Sequence, residues 1–164
     1  MSSHEGTFHL PFISHLMKEK PAADTSSDRR QRVPVRERAI CLDDDPLSLR
    51  LVEHLLKDRY DVISCANIDA AVRAVKSTHV DLFLCDYHLG EHFTGARAFE
   101  ILTNKYGFNP IHRILITSYP SDAIEKESLD IGFSKVFAKP LRKEFKSYCL
   151  NLWMPPVSRP VAVI

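Results

Sequence analysis

Four aspartates, two hydroxyls and a lysine stand where short apolar runs end. Ala39-Ile40-Cys41-Leu42 leads into Asp43, Asp44 and Asp45, and Val80 to Cys85 leads into Asp86. Ile111 to Ile116 leads into Thr117 and Ser118, and Val136-Phe137-Ala138 leads into Lys139 and Pro140. Carboxylates gathered in one place repel each other unless a cation lies among them. An all-oxygen donor set suits a hard ion, and Mg²⁺ characteristically rests on one or two carboxylates while keeping several waters. With that charge balanced, one carboxylate can act as a nucleophile towards phosphorus. The ion, an ammonium and a hydroxyl can then neutralise the phosphoryl oxygens. One aspartate at a strand end is commonly just a helix cap. The whole set, at successive run ends, is hard to account for by capping.

These run ends meet only if the runs are neighbouring strands, and the segments between them supply that condition. Asp45-Pro46 reads as a helix cap followed by a first-turn proline, after which Leu47, Leu51, Leu55 and Leu56 recur at helical spacing. Asp61 to Cys65 is a second strand. Asn67 caps a helix with Ile68, Ala71, Val72 and Val75 on one face. Ala98, Ile101 and Leu102 mark the helix after Asp86, and residues 121–131 form a weaker one stopped by Gly132. Leu141, Phe145, Tyr148 and Leu152 give a last amphipathic helix, ended by Pro155-Pro156. Five strand–helix pairs in strict alternation imply an α/β fold, a doubly wound parallel sheet with helices on both faces. All five strands read as apolar along their length, as a doubly covered sheet requires. In open sheets of this kind ligands bind beyond the carboxyl ends of the strands.

Whole-chain properties narrow the function classes. At 164 residues there is room for one domain plus tails. The balance of 22 basic against 21 acidic residues gives no global field favouring nucleic acid or membrane. No apolar run approaches the ~18 residues of a membrane span. The apolar stretch from Phe8 to Met17 is broken by His9, Pro11 and His15 and follows no basic segment, which argues against a secretory signal. It either docks on another protein or stays unfolded. The four cysteines lack metal-type spacing, and Cys41 and Cys85 sit inside apolar runs as small core residues. A reduced, cytoplasmic setting fits. Residues 1–37 read as a tail or linker, and the five arginines between Arg29 and Arg38 as a solvated stretch rather than a nucleic-acid arm. The folded domain is expected over residues 38–153, with a C-terminal tail over 154–164.

On ICLDDDP, DLFLCDYHLG, ILITSY and VFAKP, in that order, the chain from Arg38 to Trp153 resembles the response-regulator receiver domains of two-component and phosphorelay signalling, of the stand-alone type. The resemblance implies a flavodoxin-like fold with strand order 2-1-3-4-5. It makes Asp86 the phosphoacceptor and Asp43 and Asp44 the acidic pair that binds Mg²⁺ (or Mn²⁺), Asp44 directly and Asp43 through water. Asp86 and the backbone carbonyl of His88 would complete the protein's metal ligands. Thr117 would bond the phosphoryl group, Lys139 would pair with it, and Pro140 would follow a cis peptide. Asp45 is then simply the helix cap. The implied partners are a histidine kinase or histidine phosphotransfer protein, and a downstream protein bound through the face of the fourth and fifth strands and helices. A homodimer is compatible with this, and neither membrane nor nucleic acid is contacted directly. Such a domain is a signalling module rather than an enzyme, at most promoting its own phosphorylation and dephosphorylation.

Three departures from the family pattern bear on mechanism. Leu89-Gly90 stands where Met-Pro or Leu-Pro is common, and the loop to Gly95 is one residue longer than usual. Val136 occupies the position, three before the lysine, where many receivers carry a Tyr or Phe that swings inward on activation. Tyr119, beside Thr117 and Ser118, is therefore expected to contribute to any switch. His88 and Tyr119 flank the path of an attacking water in this family, and could set the lifetime of the phosphorylated state. Two other readings remain. One is a binding scaffold that has lost phosphorylation, to which Val136 lends weight. The other is a haloacid-dehalogenase-like phosphatase using Asp43, since Leu42-Asp43-Asp44-Asp45 fits that family's hydrophobic-Asp-x-Asp start, although its further acidic strand after the lysine is missing.

Overall fold

The structure, a computed structural model, describes residues 36–155. The expected tail over 1–37 lies outside the described residues up to residue 35, as do the segment 8–17, Arg29, Arg30, Arg32 and all but two residues of the C-terminal tail. Five strands alternate with five helices: β1 (Glu37–Leu42), α1 (Pro46–Leu56), β2 (Tyr60–Cys65), α2 (Ile68–Ser77), β3 (Leu82–Asp86), α3 (Gly95–Tyr106), β4 (His112–Thr117), α4 (Asp122–Ile131), β5 (Lys135–Ala138) and α5 (Lys143–Leu150). The strands form one parallel sheet in the order β2-β1-β3-β4-β5, the flavodoxin-like arrangement.

Side chains alternate across the pleat, so each central strand feeds two cores. Ile40, Leu42, Phe83, Cys85 and Leu115 face α2, α3 and α4. Ala39, Cys41, Leu82, Leu84, Ile114 and Ile116 face α1 and α5. Phe83 centres the first core, with its ring centroid 5.8 Å from Phe99, 5.2 Å from Phe108 and 6.3 Å from Phe133. The strands depart from uniform apolarity: Asp61 and Ser64 on the edge strand β2 and Lys135 on the edge strand β5 are exposed, and the inner strands β1 and β4 open with Glu37-Arg38 and His112-Arg113. An edge strand has a neighbour on one side only, and its outer border need not be apolar.

Helix ends follow the sequence signals at Asp45, Asn67 and Gly132. Asp45 accepts the amides of Leu47 and Ser48, and Asn67 that of Ala70. Thr94 accepts the amide of Arg97, and Ser121 that of Ile124. Gly132 closes α4 in the left-handed conformation at φ +109°. The apolar face of α1 is a correction. Leu49, Val52 and Leu56 are its buried residues, whereas Leu47 is 72% exposed and Leu51 is exposed as well. The last helix also stops at Leu150, five residues before the expected proline stop.

Candidate functional site

Strand register carries the chemistry to one edge. Leu42 lies beside Cys85 in the β1–β3 pairing, so the residues that follow, Asp43 and Asp86, leave the sheet side by side. Thr117 ends β4 beside Ala138 of β5, and the Lys139 amide donates to the Thr117 carbonyl at 2.7 Å. Asp43, Asp86 and Thr117 are buried, while Asp44 is exposed.

One oxygen from each of Asp43, Asp44 and Asp86 lies within 4.8 Å of the other two. The Lys139 Nζ donates to Asp43 Oδ2 at 2.8 Å and sits 2.7 Å from Asp86 Oδ1, spanning the two strand ends. Each carboxylate also accepts one backbone amide. Asp45 donates to Asp43 Oδ1 at 2.9 Å, His88 to Asp86 Oδ2 at 2.8 Å, and Gly90 to Asp44 Oδ2 at 3.1 Å. Three carboxylates against one ammonium leave an excess of negative charge on a purely oxygen donor set. That combination fits a hard divalent cation.

Burial pushes the Asp86 carboxyl above the usual carboxylate range, and the charge of Asp43 adds to this while Lys139 opposes it. Burial also works against the Lys139 charge, but its bonds to Asp43 and Asp86 prevail and its pKa is raised. Burial raises the thiols of Cys41 and Cys85 well above their ordinary values. They stay protonated, and so are poor nucleophiles and poor metal ligands. All four cysteines are free and buried.

Around this centre the other sequence-selected residues fall as follows. The Thr117 hydroxyl accepts the Tyr119 amide at 3.2 Å, and Ser118 is exposed beside Lys139 in an open groove. The Tyr119 ring, 72% exposed, meets the His88 ring edge to face at 5.7 Å, and His88 meets Tyr87 in the same way at 4.8 Å. Val136 is half-buried among the α2–α4 core residues and borders an open cavity of about 260 Å³ beneath the start of α4. The Lys139–Pro140 peptide is cis.

Sequence reasoning passed over two residues here. Tyr87 donates its hydroxyl to Glu127 of α4 at 2.8 Å, joining the residue after Asp86 to a helix on the next crossover. Gly95 packs its Cα so tightly that a Cβ there would lie 2.2 Å from the Asp86 carbonyl oxygen and 2.8 Å from Cys85 Sγ. A glycine straight after the capping Thr94 was the available signal, since glycine commonly marks close backbone approach.

Solved structures share this fold. The chemotaxis protein CheY4 of Vibrio cholerae matches with a TM-score of 0.63 at 19% identity, over 70% of this chain and 96% of that one. A response regulator of Burkholderia pseudomallei, solved with a phosphorylated aspartic acid, a calcium ion and citrate, matches at 0.60 and 21% identity, over 71% and 66%. The receiver domain of the putative response regulator NarL of Mycobacterium tuberculosis matches at 0.60 and 22% identity, over 71% and 94%. At these identities the likeness is one of fold. A search of curated proteins finds no match. The sequence model of the response regulator receiver domain, in contrast, matches residues 39–145, from the middle of β1 to the buried Phe145 of α5 and across every site residue. The chain therefore belongs to the response regulator receiver domain family.

Proposed function

We propose that this domain takes a phosphoryl group onto Asp86 from a histidine kinase or histidine phosphotransfer protein, and signals through a phosphorylation-dependent protein contact. The observation that carries the proposal is the placement of Lys139, bonded at once to Asp43 and Asp86 where three carboxylates converge. In the proposed step an Asp86 oxygen attacks the phosphorus of a phosphohistidine. The P–N bond breaks as the P–O bond forms, and the leaving imidazole keeps the electron pair and takes up a proton. Asp43, Asp44, Asp86 and the His88 carbonyl would hold Mg²⁺ or Mn²⁺, which when bound offsets the charge of the phosphoryl oxygens. Lys139 and the Thr117 hydroxyl would meet the remaining oxygens.

The exposed Leu47 and Leu51, with Pro140 and Leu141, line an open groove of about 430 Å³ beside Lys139. An apolar flank at this place suits a docking phosphodonor. The face of the fourth and fifth strands and helices is proposed for the downstream partner or for a homodimer, and α5 and the exposed Trp153 border a larger open groove of about 820 Å³. Four buried, free thiols fit a cytoplasmic protein, and no helix among the described residues is long and apolar enough to cross a membrane. Receiver domains are signalling domains. No strand follows Lys139 among the described residues, which leaves the phosphatase reading without its further acidic strand.

Incubation with Mg²⁺ and acetyl phosphate, read by intact mass, is expected to add one phosphoryl group to the protein and none to Asp86→Asn. A protein that gains no mass is instead the phosphorylation-independent scaffold that Val136 and its neighbouring cavity would suit. For the lifetime, His88→Ala and Tyr119→Ala are each expected to change the decay rate of the phosphorylated protein, His88 by orienting water and Tyr119 by excluding it. Unchanged decay in both variants removes them from that role.

A further inference from the structure

Asp44 is held differently from the other two carboxylates. Asp43 and Asp86 are buried and share Lys139. Asp44 is exposed, and among the described residues its one hydrogen bond comes from the Gly90 amide, 3.1 Å from Oδ2. That amide belongs to a closed turn. His88 bridges Thr94 in antiparallel fashion, and the Leu89 amide donates to the Phe93 carbonyl at 2.8 Å, which fixes both sides of the turn and leaves residues 90–92 at its tip. Gly90 has φ +80°, a conformation that glycine adopts without steric cost and that most side chains resist. Nothing lies within 4 Å of where its Cβ would be, so packing does not demand the glycine; the backbone angle does.

We propose that Gly90 is a positioning residue, whose amide, presented by the closed 88–94 turn, orients the exposed carboxylate of Asp44 for a divalent cation. The proposal rests on reading Asp44 as a cation ligand. With Oδ2 committed to the amide, Oδ1 is left for the ion, and a carboxylate already oriented gives up less freedom on binding. Proline, which often stands at this place in the family, has no N–H and could not do this. Leu89-Gly90 and the extra loop residue thus become parts of one device: the added length closes the turn, and the glycine aims the donor.

The test uses the full chain with two readouts. In the metal-free protein, Asp44→Asn is expected to shift the Gly90 amide proton, as its charged acceptor is lost; an unmoved resonance shows that the hydrogen bond is absent and overturns the proposal. Mg²⁺ is then titrated into variants and followed by amide shifts. Gly90→Asn keeps the N–H and tolerates a positive φ, so it should bind as the parent does. Replacing the Gly90 amide by a backbone ester, which removes the N–H and leaves the +80° angle open to the residue, should weaken binding by about tenfold, the loss of one charge-assisted hydrogen bond. In an Asp44→Ala background the ester should cost nothing further. Parental affinity in the ester variant, or an equal loss with Asp44 absent, refutes the positioning role. If the parent protein binds no Mg²⁺ at all, the reading of the site fails, and the metal-free shift still decides the hydrogen bond.

Discussion

Helices α3 and α4 pack on the same face of the sheet, one after the strand that ends at Asp86 and the other after the strand that ends at Thr117, yet they are anchored very differently. Helix α3 buries Gly95, Ala96, Ala98, Phe99 and Leu102, and its Phe99 joins the ring cluster around Phe83. Helix α4 buries only Ser128, whose hydroxyl is turned back onto the Ile124 carbonyl. Ile124 and Ile131 are partly buried, and Leu129 is 49% exposed. Elements with few buried apolar contacts lie at the low end of local stability, and moving parts are drawn from that end. The α3 side of the site is thus the better anchored. The α4 side is the more loosely held.

The sharpest way to break this contrast is to truncate one leucine in each helix. Leu102→Ala should cost about 2–5 kcal/mol, the range for a buried leucine, while Leu129→Ala should stay within about 0.5 kcal/mol. Urea denaturation of the two variants measures both, and similar losses would mean that α4 is as well anchored as α3. The caps come next. Thr94→Ala and Ser121→Ala should each cost about 1 kcal/mol, because capping is local to the helix end. A much smaller loss for Ser121→Ala would show that the start of α4 is frayed already. The smallest effect is expected from Val136→Tyr, which places a ring towards the cavity of about 260 Å³ at the start of α4. Global stability should change by less than about 1 kcal/mol, since apolar burial and crowding oppose each other. Amide exchange along α4 should slow if that cavity is what leaves the helix loosely held.

What could be read from the chain depended on whether the signal was local. Asp43, Asp86, Thr117 and Lys139 were legible because each ends an apolar run, and parallel register brings run ends together without further information. Asp45, Asn67 and Gly132 were legible because capping is decided within a few residues. The apolar face of α1 was not. Leu47, Leu49, Leu51, Val52, Leu55 and Leu56 make two competing stripes, and the position of the sheet chooses between them. The amide of Gly90 was hidden for another reason: a backbone donor has no residue type, and its direction depends on a φ of +80°. The link from Tyr87 to Glu127 spans 40 residues, and no periodicity announces it.

The contact between Gly95 and the Asp86 carbonyl has a consequence for heredity. The smallest side chain placed at 95 would meet the main-chain carbonyl of Asp86 at 2.2 Å. In a screen for lost signalling, changes at position 95 should therefore be recovered alongside changes at Asp86, although no atom of Gly95 belongs to the reacting groups. A geneticist mapping such alleles would draw a site one residue larger than the chemist's.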